Sequence, residues 1–259
     1  MPSWRPDLYR MSRFFTDKEN INNTEILITN ADDVKHLSKV LRHRIGDIIE
    51  ISDGESFEYT GEITEITAAL VRVKILSKGG FVREPKKRVT VYQGVPKQGK
   101  MEVIVQKCTE IGAAAIVPVF TDRTVVVDKG GFGKKIDRWQ RVADEAVKQC
   151  RRGIIPEVRE AVKFKDLPSV MEENDLNLFC YEDEAGTTLK DVLRGLSEEE
   201  RASTVKIGLI IGPEGGFSDE EYRMITGAGA RSVSLGKTIL RAETAPIAAL
   251  AMLMYELEQ

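Results

Sequence analysis

The segment Ile210-Ile211-Gly212-Pro213-Glu214-Gly215-Gly216-Phe217-Ser218 decides how this chain is interpreted. The apolar run Val205–Ile211 predicts a buried strand that ends at the glycines. Ser218 with Glu221 three residues later forms the capping-box pattern that begins a helix. A strand therefore passes through a glycine-rich loop into a helix, and such a loop lets backbone N–H groups approach a small molecule closely.

A second loop of unusual composition follows the next predicted strand, Ser232–Leu235, and leads into a predicted helix over Pro246–Leu257. It combines apolar side chains, which suit a ligand slot, with polar groups that can hydrogen-bond. For this loop alone, a packed Ile239-Leu240 pair beside a surface ion pair of Arg241 with Glu243 is the better interpretation. Two such loops at consecutive strand ends favour a small-molecule site.

The two halves of the chain have different patterns. Over residues 13–77, apolar and polar residues alternate as they do in β-strands, except for one helical segment over Ala31–Arg42. From Val89 onward, strands and helices alternate, which predicts an α/β fold with a parallel sheet covered on both faces. Ligands of such sheets bind beyond the carboxyl ends of the strands. Glycine, proline and charge over Lys78–Lys87 predict a linker between the halves.

Composition excludes several classes of protein. The 259 residues are 42% apolar and 31% charged, as in an ordinary globular protein, and no apolar run approaches a membrane span of about 20 residues. The three cysteines are widely spaced and odd in number, which favours a reducing cytoplasm. The chain lacks a P-loop, a Rossmann glycine motif and a nucleophile elbow, and His36 and His43 have no zinc-site spacing.

Charge favours an RNA partner only modestly. The formal net charge of −3 argues weakly against nucleic acid. However, basic residues crowd three segments, 35–44, 83–107 and 134–152. Any one of these clusters is adequately explained as a solvated helix face or a linker, whereas three together suit phosphate binding.

The two loops resemble the C-terminal motifs of the SPOUT methyltransferases, and the longer match is to the bacterial 16S rRNA uridine-N3 methyltransferases (the RsmE family). The match covers most of the chain, and its minor departures are the extra N-terminal residues and Cys108-Thr109. The other segments that match the family are Ser12-Arg13-Phe14-Phe15, 36–42, Lys100-Met101-Glu102, 106–112, Arg138-Trp139, 145–149, Arg152 and Pro156.

This resemblance implies a fold of two domains. A small PUA-like RNA-binding β-barrel would occupy residues 1–82, with residues 1–10 as a candidate extension before Met11. A SPOUT domain with a parallel sheet and a C-terminal trefoil knot would occupy residues 83–259. The resemblance also implies a cytoplasmic homodimer that draws its active site from both subunits, uses S-adenosylmethionine as methyl donor and needs no metal.

The resemblance further implies the residues of the site. Arg241 and Glu243 are the candidate catalytic residues, with Glu243 either accepting the uridine N3 proton or anchoring Arg241. The residues implied to contact RNA are Arg13, His36, Lys39, Arg42, Arg123 and Arg152. Those implied to bind the donor are Tyr181, Glu182, Gly212, Pro213, Glu214, Gly215, Leu235, Gly236, Ile239, Leu240 and Thr244.

The activity that follows is methylation of N3 of one uridine in the 16S rRNA of the small ribosomal subunit. Two alternatives stay open at this point: a SPOUT methyltransferase that acts on another RNA position, and a non-catalytic RNA-binding or ribosome-assembly protein with a relic pocket. The intact pair of loops speaks against the second alternative.

Overall fold

The computed structural model describes residues 13–97, 99–126 and 130–258. Contacts divide the chain into two compact units, one of residues 13–84 with Val147–Ile154 and the other of Pro85–Ala146 with residues 155–258. The segment Val147–Ile154, which a boundary near residue 83 places in the second domain, therefore packs with the first unit. No helix within the described ranges is long and apolar enough to cross a bilayer.

The first unit is built on a five-stranded sheet in the order β1-β3-β4-β5-β2. Its neighbouring strands are antiparallel, except that β1 is parallel to β3. A short helix, α1, continues directly into a π-helical turn over His36–Val40. The elements are β1 (Arg13–Phe15), a 3₁₀ turn (Lys18–Asn20), β2 (Glu25–Ile28), α1 (Ala31–Lys35), β3 (Ile48–Ser52), β4 (Phe57–Ile66) and β5 (Val71–Gly80).

The predicted start of the linker at Lys78 is wrong, because residues 78–80 belong to β5. β5 extends to Gly80, which pairs with Phe57 at the start of β4. The Lys78 ammonium lies 3.9 Å from the centre of the Phe57 ring, a cation–π contact that supports this pairing. The glycines at this point therefore belong to a strand, because β4 supplies a partner that local composition does not reveal.

The second unit contains a seven-stranded sheet in which all pairings are parallel, with the order β12-β10-β11-β6-β7-β8 and β9 also paired to β7. Its strands are β6 (Arg88–Gly94), β7 (Ala115–Phe120), β8 (Glu157–Val158), β9 (Val162–Lys163), β10 (Leu176–Cys180), β11 (Lys206–Ile211) and β12 (Arg231–Val233). Its helices are α2 (Lys100–Ile111), α3 (Phe132–Cys150, which ends in the first unit), α4 (Leu167–Met171, after a 3₁₀ turn over Phe164–Asp166), α5 (Leu189–Gly195), α6 (Glu198–Ser203), α7 (Asp219–Gly227) and α8 (Thr244–Leu257).

Side chains of β11 enter cores on both faces of this sheet. Ile207, Leu209 and Ile211 pack in one cluster with α2 and α8, and Ile210 packs in a second cluster with Phe179. A parallel strand covered on both faces is a continuous apolar run, because every side chain is buried. The predicted α/β architecture with a doubly covered parallel sheet is confirmed, whereas the trefoil knot stays a prediction.

Two arginines that the resemblance assigned to RNA lie inside the first unit instead. Arg13 is only 5% exposed, and its guanidinium donates hydrogen bonds to the carboxylates of Glu50 and Glu58. Arg152 is also 5% exposed and pairs with Glu84 at 2.9 Å. A buried guanidinium must be paired with acceptors, so these contacts hold the unit together and leave neither cation on its surface.

The buried pairing of Arg13 predicts a large loss of stability in Arg13→Met. Removal of the guanidinium leaves two carboxylates near it without their cation, and we expect a loss of about 3 kcal/mol or more in the free energy of unfolding. Urea denaturation measures this loss. The matched control is Arg72→Met, which removes half-exposed pairs with Glu25 and Glu65 and should cause a much smaller loss, because water screens exposed pairs. Equal losses in the two variants would contradict the structural role of Arg13.

Candidate active site

Neighbouring parallel strands of the second unit end together at one edge of the sheet. β6 ends at Gly94, β11 at Ile211 and β10 at Cys180. The register pairs Ile211 with both Gln93 and Cys180, and it pairs Cys180 with Val233 at the end of β12. The loops that leave these strands therefore start side by side, as expected for a ligand site in a parallel sheet.

A cavity of about 570 Å³ lies at this edge, a volume suited to a small-molecule ligand. Both predicted loops line it, so the structure brings them together at one cavity. Arg241, a candidate catalytic residue, also lines the cavity. The residues of the predicted donor set that line it are Tyr181, Glu182, Gly212, Pro213, Glu214, Gly215, Leu235, Gly236, Ile239 and Leu240.

Thr244 is the member of that set that the structure places elsewhere. It begins α8, and its N–H donates to the carbonyl of Arg241 at 2.8 Å, so it serves the helix start rather than the cavity wall.

Ile239 is 85% exposed, which rules out the alternative in which it is a packed core residue. An exposed apolar side chain on the rim of a cavity is what a ligand with a flat apolar face would cover.

Two glycines at this edge are required by close approach of the backbone. A Cβ on Gly94 would lie 2.4 Å from Cδ and 2.5 Å from N of Pro213, so β6 touches the glycine loop directly. Gly216 has a φ of +64°, which disfavours any other residue, and a Cβ there would lie 1.7 Å from Oε1 of Glu182. These contacts bring the ends of β6, β10 and β11 together beneath the cavity.

Lys100 lines the cavity, and sequence reasoning did not assign it to the site. It is the first residue of α2, and its Nζ lies 2.9 Å from Oε1 of Glu214 and 2.9 Å from Oε2 of Glu243. The Lys-Met-Glu match to the RsmE family marked Lys100 as part of the family pattern. Nothing local to that segment indicated that it lies beside residues more than a hundred positions away.

The structure gives Glu243 a different partner from Arg241, the partner that the sequence suggested. Its ion pair is with Lys100 rather than with Arg241. The hydrogen bond from Lys100 holds the pKa of Glu243 below its usual range, so this carboxylate is ionised at neutral pH and is a weak base. The geometry therefore supports a role for Glu243 in holding its loop and weakens its case as the proton acceptor.

An aromatic cluster supports the wall that Tyr181 provides. The Tyr181 ring stacks on Phe179 with centroids 5.7 Å apart and lies 4.6 Å from Tyr222 of α7. Phe217, at the end of the glycine loop, is buried and lies 4.6 Å from Phe179. Aromatic contacts of this kind restrict the rings to a few orientations, so the wall is preorganised.

The remaining residues assigned to RNA lie on the surfaces of their own units. Lys39 and Arg42 are exposed at the end of the helical segment of the first unit, and His36 is half-buried against the Phe14 ring. Arg123 is exposed in the second unit, where its guanidinium donates to the carbonyl of Gly215 at 2.9 Å. Lys39 and Arg42 are therefore the strongest remaining candidates for phosphate contacts in the first unit.

Comparison with known proteins places these features in one family. The family model of the RNA methyltransferase domain matches residues 83–254, and that of the RNA methyltransferase PUA domain matches residues 28–76. A ribosomal RNA small subunit methyltransferase E of Bacillus subtilis is 31% identical over 252 residues, which cover 96% of this chain and 98% of the relative. The chain belongs to the ribosomal RNA small subunit methyltransferase E family. The resemblance inferred from the two loops is thus confirmed.

Solved structures of the methyltransferase E family and its neighbours have the same fold. The enzyme of this family from Neisseria gonorrhoeae superposes with a TM-score of 0.82 at 28% identity, covering 95% of this chain and 97% of that one. A putative methyltransferase of Legionella pneumophila superposes with a TM-score of 0.80 at 32% identity, covering 95% and 98%. Both of those proteins were solved with S-adenosylmethionine bound.

Proposed function

We propose that this protein transfers a methyl group from S-adenosylmethionine to N3 of a uridine in the 16S rRNA of the small ribosomal subunit. The observation that carries the proposal is the single cavity formed by the glycine loop and the Leu235–Ala245 loop at the sheet edge. Relatives that match more than nine tenths of this chain are named as methyltransferases of small-subunit ribosomal RNA. An rRNA substrate also accords with the cytoplasmic location expected from the sequence.

The cavity residues fit this donor. Leu235, Ile239 and Leu240 offer apolar surfaces for the faces of the adenine, while backbone N–H and C=O groups of the loops can bind its edge. Glu182 stands beside Gly216, where its carboxylate can accept hydrogen bonds from ribose hydroxyls. The donor supplies an activated methyl group on a cationic sulfonium, and the Glu182 carboxylate in the wall carries the opposite charge.

The contribution of the protein to the reaction is alignment and exclusion of water. Direct displacement at the methyl group requires no protein nucleophile, and burial raises the pKa of the Cys180 thiol to about 12, so that this thiol in the wall stays protonated. Holding the donor and the acceptor nitrogen in line replaces a bimolecular encounter by a positioned one. The exposed Arg241 places a cation on the cavity wall, where it can contact the acceptor or its phosphate.

The acceptor must be presented unpaired. N3 lies on the Watson–Crick edge of uracil, so a paired uridine must be extruded before the methyl group can reach it. Exposed cations such as Lys39 and Arg42 would hold the flanking phosphates.

The proposed function predicts a specific change in ribosomal RNA. Small-subunit rRNA from cells that lack this protein should contain no 3-methyluridine at one position, and incubation of those subunits with the purified protein and S-adenosylmethionine should restore it. Mass spectrometry of rRNA nucleosides and mapped fragments measures both results. Appearance of the methyl group on another base or another RNA would support a different methyltransferase, and donor binding without any methylation would support a non-catalytic RNA-binding protein.

The exposed cations of the first unit predict a separable effect on RNA. Arg42→Glu should weaken binding to undermethylated small subunits about tenfold and flatten its salt dependence, because a phosphate contact is replaced by repulsion. Affinity for S-adenosylmethionine should not change. Arg223→Glu is the matched control, since Arg223 is exposed on α7 and donates to the carbonyl of Asp219. Equal RNA affinities for Arg42→Glu and the parent protein would refute this contact.

The proposal includes the homodimer that the resemblance implies. Met252 and Tyr255 lie three residues apart on one face of α8 and are 45% and 68% exposed. An apolar helix face of this kind is suited to cover by a second copy of the chain. Tyr255→Asp should therefore shift sedimentation equilibrium toward monomer, whereas Val125→Asp, at a site 69% exposed, should not. A parent protein that sediments as a monomer at micromolar concentration would rule the dimer out.

A further inference from the structure

The ammonium of Lys100 joins three elements of the cavity. Lys100 begins α2, which follows β6, while Glu214 belongs to the loop after β11 and Glu243 to the loop before α8. One Nζ lies 2.9 Å from a carboxylate oxygen of each loop. A single ammonium at this distance from both carboxylates can balance the charge of both loops.

Glu214 makes a second connection to the same place. Its two oxygens accept the backbone N–H of Lys97 at 3.1 and 3.2 Å, in the segment between β6 and α2. The glycine loop is therefore tied to this segment both through the Lys100 side chain and through a main-chain donor. The Leu235–Ala245 loop is tied to it through Glu243 and Lys100.

We propose that Lys100 is a positioning residue that holds the two donor loops at the separation that the methyl donor requires. This inference rests on the proposed function only for the identity of the ligand. The bridge itself is defined by Lys100, Glu214 and Glu243, and without its cation the carboxylates of the two loops would repel each other.

The protonation states of the three groups agree with this role. Hydrogen bonds to Glu214 and then to Glu243 raise the pKa of Lys100. Partial burial acts to raise the pKa of Glu214, but the hydrogen bond from Lys100 and those from backbone N–H groups outweigh it and lower that pKa. All three groups are therefore charged at neutral pH, and Lys100 cannot serve as a base there.

A bridge of this kind differs from an ordinary surface ion pair. The side chains of Lys100, Glu214 and Glu243 are 29%, 24% and 23% exposed, so water screens them only in part. Isolated ion pairs on a fully exposed surface, by contrast, contribute little to stability. Here one cation balances two like charges on separate loops, so its removal changes loop geometry as well as one contact. The expected effect is on donor affinity rather than on the rate at saturating donor.

The test compares Lys100→Met with Lys107→Met. Lys107 lies on the same helix and also pairs with a glutamate, Glu110, at 2.9 Å, but its carboxylate partner is three residues away on α2. Calorimetry should show S-adenosylmethionine binding about tenfold weaker in Lys100→Met, the loss typical of a charge-assisted hydrogen bond, and unchanged in Lys107→Met. In steady-state kinetics, KM for the donor should rise about tenfold while kcat changes less than about twofold.

Two further variants separate positioning from general damage to the fold. Lys100→Arg keeps the cation and should recover most of the affinity. Lys100→Met combined with Glu243→Gln removes the unbalanced charge, and its loss should be smaller than the sum of the two single losses. Unchanged donor affinity in Lys100→Met, or a fall in kcat with unchanged KM, would overturn the inference.

Hydrogen exchange keeps this inference distinct from the proposed function. Without any ligand, amides of residues 212–217 and 235–243 should exchange several-fold faster in Lys100→Met than in Lys107→Met. If the parent protein fails to bind S-adenosylmethionine but this difference appears, the donor assignment is wrong and the bridge stands. If exchange in the two loops is the same in both variants, the bridge is refuted whatever the ligand.

Discussion

The parallel pairing of β6, β11 and β10 is the constraint on which the site depends. Ile211 pairs with Gln93 on one side and Cys180 on the other, so these strands end at one level. Each strand carries apolar side chains into cores on both sheet faces, and a shift in register would move them out of those cores. The loops above the edge consequently start from fixed points, and the cavity takes its shape from them.

Close packing at this edge leads directly to its electrostatics. Gly94 lets β6 touch Pro213, and Gly216 makes room for the carboxylate of Glu182. Loops brought this close also bring acidic side chains together, and these need a counter-charge. Lys100 supplies it from the start of α2, so the charge arrangement is a consequence of the packing.

Arginines of the first unit lie in two different settings. Arg13 is buried among carboxylates and carbonyls, while Arg42 projects from the surface after the helical segment. Both occur in segments that match the family pattern, and an RNA contact was predicted for both. A guanidinium is stable in either setting when it has partners, so the motif alone cannot separate a structural arginine from an RNA-binding one.

By itself the sequence determined the alternation of strands and helices from Val89 onward, the capping box at Ser218 and the two loops of the site, because these depend on local periodicity and turn chemistry. Only the tertiary structure decided that Glu243 pairs with Lys100, that Arg13 and Arg152 are buried, and that β5 continues to Gly80. These features join residues far apart in the chain. They depend on which strand ends lie side by side, and hydrophobic periodicity carries no information about that arrangement.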